Sequence, residues 1–185
     1  MKKKIIIVTD GDNVAKRAVE RATEQLGGRC ISASHGNPTK LTGPQIASLI
    51  EKSKGDPIVV MVDDRGQAGE GRGERVTEYL VNHTDIEVIG ALAVASNSPY
   101  VEGITPDVSI TNQGNIIDGA VDKDGQPANE ELIFGDTVEN LELLGVEHVI
   151  GIGDIGKMCG KDDLRKGVPI TLKALKEILS RNNYN

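Results

Sequence analysis

The sequence predicts a three-layer α/β domain, with a parallel-rich sheet covered by helices on both faces and a β-hairpin on one edge. Three observations carry this. Short apolar, β-branched runs recur at Lys4–Val8, Ile58–Val62, Ile86–Ala95 and Glu147–Ile152, as expected of strands buried on both faces. Helical patterns separate the first three of these runs, which is the alternation that builds parallel sheets. Aromatic residues are scarce, one Phe, three Tyr and no Trp, so the core must be assembled from Ile, Val, Leu and Ala. At 185 residues a single domain spanning 1–185 can bury about 70% of its unfolded surface without a disulfide or metal staple.

The elements follow in order. Lys4–Val8 reads as the first strand, ending in Thr9-Asp10-Gly11-Asp12. Val14, Ala18, Ala22 and Leu26 then share one face of a helix over 13–26, closed by Gly27-Gly28. Arg29–Ser32 is a brief second strand, and Ser34 to Pro44 a loop by composition. Thr42 and Pro44 start a helix that runs to Lys52. Ile58–Val62 is the central strand, followed by Asp63-Asp64, a glycine-rich turn and a helix over 74–82. After Ile86–Ala95 come Ser96, Asn97, Ser98 and Pro99. Val108–Thr111, the turn-prone Asn112-Gln113-Gly114 and the segment after it read as an edge hairpin. Asp136 is positioned to cap a helix through Leu144, and Pro169–Arg181 closes the chain.

Composition excludes several classes of function. A formal charge of −7 repels phosphate backbones and anionic lipids, and stacking aromatics are few, so nucleic acid is not an expected partner. Cys30 and Cys159 form no CxxC pair, and with three His they do not make a zinc site. Lys2-Lys3-Lys4 precede an apolar run that stops at Thr9, too short for a signal peptide. No stretch approaches the roughly 20 apolar residues of a membrane span.

The residues that carry chemistry stand after strands, where open α/β sheets bind their ligands. Asp10 and Asp12 follow one strand and Asp63 and Asp64 another. If those strands are neighbours the carboxylates converge, and Mg²⁺ or Ca²⁺ would relieve their repulsion, with Glu70 and Glu74 as further oxygen donors. The arrangement suggests a Toprim-like metal site in which Asp10 stands where a Glu is usual. The plainer alternative gives Asp12 to a helix cap and Asp64 to loop amides. Gly151–Lys157 nearly matches a phosphate-binding loop, but Met158 replaces the required Ser or Thr. Pro127 stands where an EF-hand loop over 122–127 needs Gly. Ser96 and Ser98 have no G-x-S-x-G elbow. Among the histidines His35 alone is a site candidate.

Seven blocks taken together go further: VTDGD (8–12), GGRCIS (27–32), GNPT (36–39), DDRGQAGEGRGE (63–74), LAVASN (92–97), FGDTV (134–138) and GIGDIGKMCGKDD (151–163). They closely resemble the stage V sporulation protein AE family in its soluble form, over almost the whole chain. The resemblance implies a protein of spore-forming Firmicutes encoded with the stage V sporulation A-operon membrane proteins, which move dipicolinic acid, largely as its calcium chelate. Those membrane proteins are the expected partners, and the expected place is the spore or forespore, soluble or peripheral to the inner membrane. A homo-oligomer is left open.

The family supplies no catalytic residues. The matched blocks mark Gly66, Gly69, Glu70, Gly71, Ser96, Asn97, Gly153, Asp154 and Lys157 as a candidate ligand- or partner-binding surface. The expected function is a non-catalytic accessory of dipicolinate handling. The alternatives are a divalent-metal-dependent phosphoryl-transfer or hydrolytic enzyme using Asp10, Asp12, Asp63 and Asp64, and direct binding of calcium dipicolinate by the glycine-rich loops.

Overall fold

Seven strands and five helices alternate along the chain in the computed structural model, which describes residues 2–66, 70–97 and 102–184. Strand β1 (Lys3–Val8) leads to α1 (Asn13–Gln25), β2 (Arg29–Cys30), α2 (Gly43–Lys52), β3 (Ile58–Met61), α3 (Arg72–Val81) and β4 (Ile86–Val94). The hairpin β5 (Val108–Ile110) and β6 (Ile116–Ile117) follows, then α4 (Glu139–Leu143), β7 (Val149–Ile152) and α5 (Pro169–Arg181). The sheet order is β2-β3-β1-β4-β7-β5-β6. Every pairing is parallel except the β5–β6 hairpin at the edge. The expected α/β architecture is the one observed.

Because side chains alternate across a strand, β1 feeds both halves of the core. Ile6 and Val8 pack with α1 and α5 on one face, Ile5 and Ile7 with α2, α3 and α4 on the other. The helices following β1 and β3 therefore lie on opposite faces, although β1 and β3 are hydrogen-bonded neighbours. Connections that diverge in this way open a crevice at the carboxyl ends of the strands.

Several elements differ from their expected extent: α3 opens at Arg72 and β7 at Val149, each two residues from its expected start, while β2 and α4 differ for local reasons. The second strand stops at Cys30 because the chain turns into a 3-10 segment at Ser32–Ser34. The Ser34 hydroxyl then accepts from Met61 N at 2.9 Å, taking over the pairing that a longer strand would have made. The fourth helix begins at Glu139 with no side-chain cap. Asp136 does not cap it, because its carboxylate accepts instead from Gly66 N, 70 positions away. By contrast α5 spans Pro169–Arg181 as expected, and α2 opens with Gln45 Oε1 accepting from Thr42 N at 2.9 Å.

Candidate functional site

A cleft of about 410 Å³ lies at the carboxyl ends of β1, β3, β4 and β7. Thr9, Asp10 and Asp12 line it from the first loop, Asp63, Arg65 and Gly66 from the third strand's loop, and Ser96 and Asn97 from the fourth's. Asp154 enters after β7, while Asn37, Lys123 and Asp136 arrive from distant loops. The convergence expected of neighbouring strands is met for Asp10, Asp12 and Asp63.

Close backbone approaches build this cleft. Gly11 N donates to Asp63 Oδ2 at 3.0 Å and Gly36 N to Gly11 O at 2.9 Å. A Cβ at Gly11 would lie 2.5 Å from Gly36 O, so only glycine lets the 34–38 loop rest on the first loop. Gly153 plays the same part on the other side. Its missing Cβ would meet Gly125 N at 2.7 Å and Lys123 O at 2.8 Å, and Asp154 N donates to Lys123 O at 2.8 Å. This packing carries Lys123 to the rim. Thr9 joins β1 to β4, its hydroxyl accepting from Val94 N at 2.9 Å.

The carboxylates have different occupations. Asp12 caps α1, one oxygen accepting from Val14 N and Ala15 N at 2.7 Å each, and the other meets Lys157 Nζ at 3.0 Å. Lys157 also reaches Asp154 at 3.1 Å, so one ammonium bridges the first and last loops. Asp63 accepts from Arg65 N at 2.7 Å as well as from Gly11 N. Asp10 accepts only from Asp12 N, at 3.1 Å, among the hydrogen bonds of the described residues.

Their acidities follow these surroundings. Burial first, and then the charges of Asp12, Asp63 and Asp154, push Asp10 up to about 8. Burial and the charge of Asp136 raise Asp63 to about 6 against the Arg65 and Gly11 amides. Burial also pushes on Asp12, but the Ala15 amide and Lys157 outweigh it and leave its carboxyl below the usual range. Asp10 is thus the carboxyl in the cleft whose negative charge is least compensated.

Other expected site residues are used elsewhere. Asp64 turns away from the cleft and accepts from Gly73 N and from Glu74 N at 3.1 Å, holding the N-terminus of α3. Gly71 caps that helix, and a Cβ there would stand 2.1 Å from Asp64 Oδ1. Glu74 bonds Gly71 N at 3.2 Å, and burial raises its carboxyl to about 7. Glu70 lines a separate hollow beside α3. His35 Nδ1 contacts Ser32 O at 2.8 Å and does not line the cleft. Gly69 and Ser98 lie outside the described residues. No α-helix opens after Gly151–Lys157, since 3-10 turns intervene before α5, so the phosphate-loop pattern has no helix to act with.

Asp136 and Lys123 are among the cleft residues that sequence reasoning missed, together with Thr9, Asn37 and Arg65. The polar FGDTV block was the available signal for the first. The second is brought in only by the pairing of Asp154 with residue 123.

A metal requires more than proximity. Among the described residues no group of three or more His, Cys, Asp or Glu side chains is arranged to hold an ion. Asp10, Asp12, Asp63, Asp136 and Asp154 reach the cleft from separate loops. Nor is any helix among the described residues long and apolar enough to cross a membrane.

Fold and cleft together define a class: a three-layer α/β protein with an acidic crevice at a switch point of its parallel sheet. A sequence model of the family described as stage V sporulation protein AE1 matches residues 4–182, and the chain belongs to that family, which makes it a sporulation protein. Comparisons with curated proteins and with solved structures found no match.

Proposed function

We propose that this is a non-catalytic accessory protein of sporulation, working beside the membrane proteins that move dipicolinic acid, and that its cleft receives a cation already held by a chelator, such as calcium dipicolinate. The observation that carries this reading is the undercompensated carboxyl of Asp10 in a cleft whose other acids are dispersed. A chelated ion brings most of its own ligands. It needs one or two carboxylates and a few polar groups, which Asp10, Asp63, Ser96 and Asn97 supply, whereas a bare ion needs a closed oxygen cage. Lys123 and Arg65 at the same cleft would face the chelator's carboxylates.

The test is genetic and chemical together. A chromosomal Asp10→Asn allele should lower dipicolinate content or slow its release at germination, as a deletion should. Normal dipicolinate handling in the deletion strain would refute the role.

The neighbouring acid-bearing ends of β1 and β3 favour one rival, a Mg²⁺-dependent phosphoryl-transfer or hydrolytic enzyme. Turnover of phosphate esters that needs Mg²⁺ and vanishes in Asp10→Asn would select it; the dispersed acids are the reason to rank it second.

A further inference from the structure

On the face of the sheet covered by α2 and α3, away from the acidic cleft, a second hollow of about 450 Å³ opens between the first turn of α2 and the first two turns of α3. That volume falls within the size range of small-molecule sites. Leu41, Pro44 and Val76 give it apolar walls, and the ring of Tyr79 stands over Gly43, where a Cβ would come within 2.4 Å of the ring. The absence of a side chain at Gly43 is what lets the ring seat there.

Lys40, Arg72 and Arg75 line the same hollow. All three are exposed, and among the described residues none has an ion-pair partner. Glu70, just before α3, and Glu78 on it line an adjoining hollow that shares Arg75 and Tyr79, yet among the described residues neither makes an ion pair with Arg75. The Tyr79 hydroxyl likewise has no hydrogen-bond partner among the described residues. In a chain carrying −7 overall, three uncompensated cations converging on an apolar concavity repel one another until an anion joins them. The positive end of α2 adds to this potential.

We propose that this hollow is a binding site for a small organic anion: a carboxylate or phosphate carried on a flat apolar body. The guanidinium groups of Arg72 and Arg75 bond the anionic end, as planar forks suit both carboxylate and phosphate oxygens. The body lies against Tyr79, Val76 and Pro44. The site is separate from the acidic cleft and independent of the function proposed for it.

The experiment is a titration of the labelled protein, followed by amide and Tyr79 ring chemical shifts, with phthalate, phenyl phosphate and inorganic phosphate. Phthalate or phenyl phosphate should bind saturably in the millimolar range or tighter, with shifts confined to the α2 and α3 N-terminal turns. The tighter of the two identifies the anionic group. Inorganic phosphate should bind more weakly, lacking the apolar body. An Arg72→Gln/Arg75→Gln variant, exposed at both positions and checked for an unchanged melting temperature, should weaken binding by about tenfold or more. Asp10→Asn should leave it unaltered, which separates this site from the cleft. Three results would overturn the proposal: no saturable shift with either organic anion, undiminished binding in the double variant, or inorganic phosphate binding as tightly as phenyl phosphate.

Discussion

Replacing Asp10 by Asn should stabilise the protein at alkaline pH and leave it nearly unchanged in acid. Asn keeps the acceptor that receives Asp12 N at 3.1 Å and removes only the charge. In the unfolded chain Asp10 ionises near 3.8, in the folded one near 8. The folded state thus binds the extra proton between those values, and stability falls as pH rises from about 4 to about 8. At about 1.4 kcal/mol per tenfold change in acidity, the ceiling on this loss is about 6 kcal/mol. Solvent reaching the half-buried carboxyl reduces it to about 2–3 kcal/mol. For a chain of this length that is a difference of roughly 5–10 °C in melting temperature. Calorimetric melts of both proteins without divalent ions, at about pH 5 and about pH 9, read it directly. The difference between variant and parent should be about a third as large at pH 5 as at pH 9, and vanish below about pH 4. Equal destabilisation at both values would refute the argument that Asp10 carries an uncompensated charge.

Other expectations follow from the same geometry. Asp162, fully buried, accepts from Gly156 N at 2.9 Å, Ile170 N at 2.8 Å and Thr171 N at 3.0 Å, so Asp162→Ala should cost about 3 kcal/mol in denaturant unfolding. A Gly71→Ala variant must displace Asp64 from the cap of α3, and should lose about 2 kcal/mol in the same assay. Lys157→Ala should change stability by less than about 1 kcal/mol, because the ion pairs it ends are exposed. By removing a competing ammonium it should also tighten cation binding in the cleft, measured by titration. Cation binding should strengthen as pH rises towards about 8, where Asp10 ionises, and should release a proton at neutral pH, seen as a dependence of the heat on the buffer used.

The parts of this architecture legible in the sequence are those set by local chemistry. Apolar runs marked the position of β1, β3, β4 and β7, and the caps at Asp12 and Thr42 and the helix-opening Pro169 placed three helices to within a residue of their observed starts. The pair Asp63-Asp64 shows where local reading stops. Both follow a strand, yet one reaches the cleft and the other holds the amides of α3. Alternation along an extended chain separates neighbours in this way, but the face that each would meet depends on sheet order. Asp136 and Lys123 depend on contacts between segments far apart in the chain, for which no spacing rule exists. The uncompensated cations around Tyr79 could not be read either, since pairing of charges between α2 and α3 is decided by how the helices pack.

The most direct test of the central claim is a calorimetric titration with calcium dipicolinate, Ca²⁺ alone and dipicolinate alone, on the Arg72→Gln/Arg75→Gln protein, in which the second hollow is weakened towards flat organic anions, with and without Asp10→Asn. Asp10 is the residue to vary, because the Asp63 carboxylate is already engaged by the Gly11 and Arg65 amides. The account predicts saturable binding of the chelate, weaker binding of either component, and loss when Asp10→Asn is added. Heats of dilution throughout, or binding of the chelate that Asp10→Asn leaves intact, would contradict it.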